Sequence, residues 1–431
     1  MTLYRAMLGA AVPIFLSMVT GMVGALVGTA VLGRHATATL AAFALAAAVL
    51  TPASAAVAGA LRGLMPFVAP HRDDPAAAVP ILRDARWLSL SVGTAGAAAV
   101  ACTPLIAGVS GAPPEVLAEF GVLPLLLALY VLITASNGGA NAVLIALGRS
   151  RQVLWSSLAA TATDVVLTVA LVPVAGLTGA GIAFVASGVV GVSVANLCLR
   201  RVPGLSGLGL WPGRPRPREI LALAKVGIPL SGTILVKFAV LGVVTYAAAR
   251  TGAQGAAAHA ILTTLTGFLM LASLAVAHAS VPHVARAATP GEVRRVTRTA
   301  LLLAVAGASV GGLALALAAG PLTGLFTQDA AVRGLVATLI PLMLASAMAD
   351  AGQAVLGFGL TGLKKAGASL TYFALGYGTL AAAAVPVVSA WGLAGLWTAL
   401  IVTNGLLVVM QGSGFLRHSA RVRVPAVPAR A

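Results

Sequence analysis

The sequence predicts an all-α polytopic membrane protein with twelve transmembrane helices in two pseudo-symmetric six-helix lobes. Three observations carry that expectation. Of 431 residues, 59% are hydrophobic and 9% charged, with a mean hydropathy of +1.01. A soluble chain is nearer a quarter charged, so these charges cannot cover a water-soluble surface of this size. The apolar residues also gather into twelve runs, each long enough to cross a hydrocarbon core that takes about 20 helical residues. Finally, the second half of the chain repeats the first. The composition excludes a soluble enzyme, a disordered chain and a secreted disulfide scaffold.

The runs lie at about 8–32, 39–69, 87–109, 117–147, 152–174, 178–199, 221–249, 254–285, 299–326, 331–361, 366–388 and 391–416. Several exceed the minimum and are expected to tilt or protrude. Of the 49 Gly and 23 Pro in the chain, many occur inside them; membrane helices tolerate both, because neighbouring helices satisfy the freed backbone groups. Only Arg5 precedes the first run, which is too long for a signal-peptide core and is expected to remain as a span. Cys102 and Cys198 both sit in apolar runs and form no metal spacing.

Net charge is +17. In a soluble chain that would point to nucleic acid; in this one it follows the positive-inside rule, and no nucleic-acid partner is expected. An even number of spans puts both termini on one side. That side collects 22 of the 27 basic residues; the other holds Arg34, Arg250 and Arg333, and Lys225 and Lys237 fall within the seventh run. The asymmetry predicts cytoplasmic termini. The Ala- and Arg-rich wording suggests a GC-rich bacterial genome, hence the bacterial inner membrane.

Shifted by 216 residues, the sequence resembles itself. Pro13 falls on Pro229, Arg34 on Arg250, Pro66 on Pro282, and Gly176-Leu-Thr-Gly179 on Gly392-Leu-Ala-Gly395. Asn141-Ala-Val-Leu144 aligns with Gln353-Ala-Val-Leu356 at an offset of 212. Six spans per half in one orientation make parallel repeats about an axis along the membrane normal; in transporters so built, substrate binds near mid-membrane and access alternates. The expected organisation is an N-terminal six-helix lobe over 1–199, a cytoplasmic Pro- and Arg-rich linker over 200–219 that leaves the lobes free to move, a C-terminal lobe over 220–416 and a basic tail over 417–431.

The ordered motifs resemble the multidrug and toxic compound extrusion (MATE) family. Ala11-Val-Pro-Ile14 through Thr29-Ala-Val-Leu-Gly33 resembles its opening helix, and Lys225-Val-Gly-Ile-Pro229 with Ala257-Ala-His259 the start of its second lobe. Asp350-Ala-Gly-Gln353-Ala-Val-Leu-Gly357, Leu360-Thr-Gly-Leu363, Pro386 and Gly392-Leu-Ala-Gly-Leu-Trp397 are similar to its tenth to twelfth helices. The similarity covers roughly 8–416. It implies an antiporter that exports drugs, toxins or metabolites against protons or sodium, built as two six-helix bundles. Two family features are altered. An Asp often found before a Thr-Ala pair in the first helix is Gly28, and a Glu common in the seventh helix near Phe is Lys237.

An ionisable residue at mid-span costs at least about 2.5 kcal/mol on insertion scales and so has a partner or a task. Of ten acids, Asp73, Asp74, Asp84, Glu115, Glu219, Glu292 and Asp329 read as solvated loop or span-end residues, and Glu119 as interfacial. Asp164 and Asp350 remain, with Lys237 as the one central base. Lys237 and Asp350 are expected to pair inside the second lobe; at about 4 Å and an effective dielectric near 20 their attraction, about 4 kcal/mol, offsets the insertion cost. A static helix lock is the competing role for this pair. A tethered ammonium opposes a sodium site, which favours proton coupling, with Asp164 as the proton-exchanging acid of the first lobe and a helix-locking hydrogen bond as its plainer role.

Asn137 and Asn141 share a helical face, as do Asp350 and Gln353. With Tyr246 and His278 they are the candidate substrate-contacting residues, against interhelical hydrogen bonding or packing as the alternative. No HExxH, P-loop, nucleophile elbow or dinucleotide fingerprint occurs, so no catalytic residue, metal or cofactor is expected. The sequence therefore predicts a monomeric, lipid-embedded, proton-coupled exporter of a small organic substrate; a lipid-linked-substrate flippase and a sodium-coupled exporter are the rivals.

Overall fold

The computed structural model describes residues 3–35, 37–136, 139–207 and 213–422. Among them every regular element is helical. Twelve of the helices are α1 (Leu3–His35), α2 (Thr37–Arg62), α3 (Val79–Ala101), α4 (Thr103–Val109), α5 (Leu123–Ser136), α6 (Ala140–Ala146), α7 (Ser150–Arg200), α8 (Pro217–Ala249), α9 (Ala253–Arg286), α10 (Pro290–Leu317), α11 (Ala330–Gly362) and α12 (Ala366–Ser419). Short helical turns join several of them.

Nine described stretches are long and apolar enough to cross a membrane, and a tenth is the pair α3 and α4, bent by 46°. α5 and α6 together make one of the nine. Two others, α7 and α12, run for 51 and 54 residues, too long for one crossing. Each is broken at one glycine with non-helical angles: Gly176 (φ 52°, ψ −132°) in α7 and Gly392 (φ 60°, ψ −155°) in α12. Positive φ with extended ψ is open to glycine alone at little cost. The two breaks turn the ten stretches into the twelve runs read from the sequence.

Those two glycines stand 216 residues apart, so the repeat governs backbone conformation. α1 and α8 are both 33 residues long, and each carries its proline at the equivalent place, Pro13 and Pro229. The turn after α6 is duplicated after α11. The Arg149 N–H donates to the Leu144 carbonyl at 2.7 Å, and the Lys365 N–H to the Leu360 carbonyl at 2.8 Å. Both are closing bonds of a left-handed C-terminal cap. The left-handed residue is Gly148 (φ 75°) in the first turn and Lys364 (φ 58°) in the second, the one described non-glycine with positive φ. Leu144 thus corresponds to Leu360 at 216. The turn geometry thus favours the 216 offset here over the 212 alignment of Asn141 with Gln353.

Lys364 carries strain that Gly148 avoids, and burial pushes its ammonium down from the ordinary lysine value. Gly148 has a second constraint: a Cβ there would sit 2.7 Å from the Arg72 guanidinium carbon. Gly148→Ala is therefore expected to lower stability by about 1 kcal/mol or more through backbone strain and displacement of Arg72. The melting temperature of the detergent-purified variant checks this.

The chain divides into two compact units, residues 12–234 and residues 1–11 with 235–431. Each has its own apolar core. Leu123, Leu127, Val131 and Val172 are central to the first, and Leu262, Val336, Met343 and Tyr377 to the second. In the first unit α8 crosses α2 through small residues. Gly59 and Gly63, a GxxxG pair, face Gly227, Ser231 and Ile234, and the Ser231 hydroxyl donates to the Ala56 carbonyl. Small residues let backbones approach to this degree.

The described ends of the stretch 200–219 are docked within the same unit. Val202 and Leu205 are buried. The Trp87 indole N–H donates to the Gly213 carbonyl at 3.2 Å, and Arg216 forms a two-point ion pair with Asp84. Asp84 is thus buried and paired, where the sequence suggested a solvated span end; its charge is accommodated by a base 132 residues away, beyond the reach of local reading. Hydrogen bonding to Asp84 holds the Arg216 guanidinium above its ordinary value. Two other loop acids serve as helix caps. Asp329 Oδ1 accepts from the Ala331 N–H at 2.8 Å at the start of α11, and Glu292 Oε2 accepts from the Ala288 N–H at 2.9 Å beside the Thr289 cap of α10.

Candidate ion-pair site

The second unit holds a charged cluster in its interior. Lys237, on α8, donates from Nζ to Asp350 Oδ1 of α11 at 2.7 Å. Gln353, one turn further along α11, donates from Nε2 to the same oxygen at 2.9 Å. The helical spacing of three residues puts Asp350 and Gln353 on one face, and that face meets Lys237. Asp350 and Gln353 are each 5% exposed. A buried carboxylate with an ammonium and an amide on one oxygen is the arrangement that makes burial of charge tolerable. Tyr377 of α12 lies within electrostatic reach of Asp350. Its hydroxyl donates to Asn404 Oδ1 at 3.3 Å, and its ring stacks on Phe373 at 4.3 Å.

Asn404 belongs to this polar group and escaped the sequence reading. An amide inside the twelfth apolar run is the only signal for it, and that signal needs the partner 27 residues earlier to acquire meaning. A second buried amide, Gln411, donates to Ser369 at 3.2 Å in the same unit.

The other candidate residues lie elsewhere. His278 is 1% exposed and packs edge-to-face on Phe358 at 4.6 Å. Phe358 is eight residues beyond Asp350 on α11, about 12 Å along the axis. Tyr246, nine residues beyond Lys237 on α8, is 69% exposed. In the first unit, Asn141 accepts a bond from the Ser156 hydroxyl at 3.2 Å. Asn137 lies outside the described residues.

Asp164 sits in α7 of the first unit. Its Oδ1 is buried and takes no hydrogen bond among the described residues. Tyr130 of α5 lies within its electrostatic reach. Gly24 of α1 faces it: a Cβ there would be 3.6 Å from Asp164 Oδ2 and 3.2 Å from the Thr161 methyl. One turn on, a Cβ at Gly28 would meet nothing within 4 Å, so packing does not demand glycine there.

A family model, MatE, matches residues 229–387, the part that contains Lys237, Asp350 and Gln353. Over 376 residues the chain is 28% identical to a "Probable multidrug resistance protein NorM" of Aromatoleum aromaticum, covering 82% of this chain and 79% of that one. A protein of the same name from Xanthomonas campestris pv. campestris is 26% identical over 450 residues, covering 97% and 95%. The chain is similar to the MATE family of multidrug efflux transporters. Its helices follow a solved MATE fold: the Vibrio cholerae MATE transporter VcmN in its bent form superposes with a TM-score of 0.83 at 17% identity, covering 97% of each chain. MATE members are transporters, not enzymes.

Proposed function

We propose that the protein is a secondary antiporter that exports drugs or small organic metabolites in exchange for protons, by alternating access between its two six-helix lobes. It acts as a monomer in a bacterial inner membrane with both termini in the cytoplasm, as the 22-to-3 distribution of basic residues indicates. The observation that carries proton coupling is Asp164, whose buried Oδ1 has no partner among the described residues. A lone carboxylate in an apolar setting is costly while charged and is relieved by a proton. Asp350 is different. Its charge is already balanced by the Lys237 ammonium at 2.7 Å, and an ammonium inside a would-be oxygen cage opposes sodium.

Purified protein in liposomes with a preset pH gradient tests this. Added substrate should collapse the gradient, reported by an internal pH dye, without sodium. Asp164→Asn, which keeps shape and removes the titrating proton, should abolish proton-driven transport while leaving the folded yield unchanged. A fully active Asn variant sinks the assignment of Asp164, and a flux that requires sodium sinks proton coupling.

A further inference from the structure

The Lys237–Asp350 cluster has unused bonding capacity of both signs. An ammonium offers three donors, and one is spent on Asp350 Oδ1. A carboxylate offers two acceptor oxygens, and both recorded bonds, from Lys237 and Gln353, fall on Oδ1. Asp350 Oδ2 takes no bond from any described residue, and it is not among the sealed, unpartnered atoms of the interior. The Lys237 side chain is 19% exposed and that of Asp350 7%, so the cluster is not sealed, and its cationic member is the more open of the two. The cluster as a whole is neutral.

The geometry points to a small organic zwitterion as the ligand of this cluster, with its carboxylate on the Lys237 ammonium and its own ammonium on Asp350 Oδ2. A simple cation on Oδ2 would stand beside the Lys237 ammonium, and a simple anion on Lys237 beside the Asp350 carboxylate. Each meets a like charge within a few bond lengths, in a setting that screens little. A zwitterion closes a ring of four alternating charges and leaves the net charge of the interior at zero. The ligand's two groups must lie a few bonds apart, because the ammonium and carboxylate they meet are themselves in contact. This inference rests on the export reading and names its substrate class.

The test is a matched set on one fluorescent scaffold, titrated into the purified full-length protein in lipid nanodiscs. Nε-dansyl-lysine is the zwitterion, its methyl ester the cation and its Nα-acetyl derivative the anion. The zwitterion should bind about a hundredfold more tightly than either relative. In the double variant Lys237→Met with Asp350→Leu, which removes both charges together, the three should differ by no more than about threefold. An ester that binds as tightly as the zwitterion overturns the inference, as does a preference that survives in the double variant. Absence of binding by all three up to millimolar concentration also overturns it. The export reading is tested separately by flux of both the zwitterion and a cationic dye through the same protein in liposomes: export of neither refutes that reading, and export of the dye with rejection of the zwitterion refutes the substrate class alone.

Discussion

Lys237→Met is expected to cost the protein its fold before it costs it its transport. The substitution keeps the length of the side chain and removes the only charge among the described residues that is bonded to a carboxylate 5% exposed. Breaking a buried pair by removing one partner costs about 3–5 kcal/mol, because the other charge is left uncompensated. Against the small net stability of a folded chain, about 5–15 kcal/mol, that is a large fraction. Asp350→Leu should act in the same direction from the other side, leaving a partly buried ammonium without its counterion. Lys237→Met with Asp350→Leu should return most of the loss, since a neutral pair in an apolar interior has nothing to balance. Folded yield and melting temperature by fluorescence-detected size exclusion read all three. The double variant then separates two roles. If it folds and still exports, the pair only locks α8 to α11; if it folds and is inert, the charges take part in the transport cycle.

The second large effect is expected at the crossing of α2 and α8. A Cβ on Gly63 would sit 2.5 Å from Gly227 Cα, and one on Gly227 would run into the Ala60 carbonyl oxygen. Both obstacles are backbone, so no side-chain rotation relieves them. Gly227→Leu or Gly63→Leu must push the helices apart, break the Ser231 bond to Ala56 and forfeit the packing of Ile234 over Gly59. Overpacking costs about 1–3 kcal/mol where a core can yield; this one has backbone on both sides, and a loss of about 3 kcal/mol or more is expected, seen as collapse of folded yield. Gly242, on the same helix α8, is the control: a Cβ there meets nothing within 4 Å, and Gly242→Ala should be neutral.

The candidate site was half legible in the letters. Lys237, Asp350 and Asp164 stood out because a charge in an apolar run is expensive and rare, and that cost is visible one residue at a time. The pairing of Lys237 with Asp350 followed because one central base and one central acid lay in the same repeat. Gln353 followed from helical spacing. Asn404 did not follow, because an amide is affordable in many membrane helices and only its contact with Tyr377 marks it. Asp84 read as solvated for the reverse reason: its partner Arg216 lies across a proline-rich stretch with no periodicity to project.

By itself, the sequence determined the number of spans, their order and their duplication. Hydropathy is a local, additive property matched against a fixed bilayer thickness, and a repeat at a constant offset carries backbone geometry with it, from Pro13 and Pro229 to Gly176 and Gly392. Only the tertiary structure decided which faces meet: that α8 lends Gly227 to α2 and Lys237 to α11, that both bonds to Asp350 fall on one oxygen, and that Gly213 and Arg216 are held to α3 at Trp87 and Asp84. Rotation of a helix about its own axis changes none of its hydropathy. It is set by where small residues let two backbones close and where a buried charge finds its counterpart.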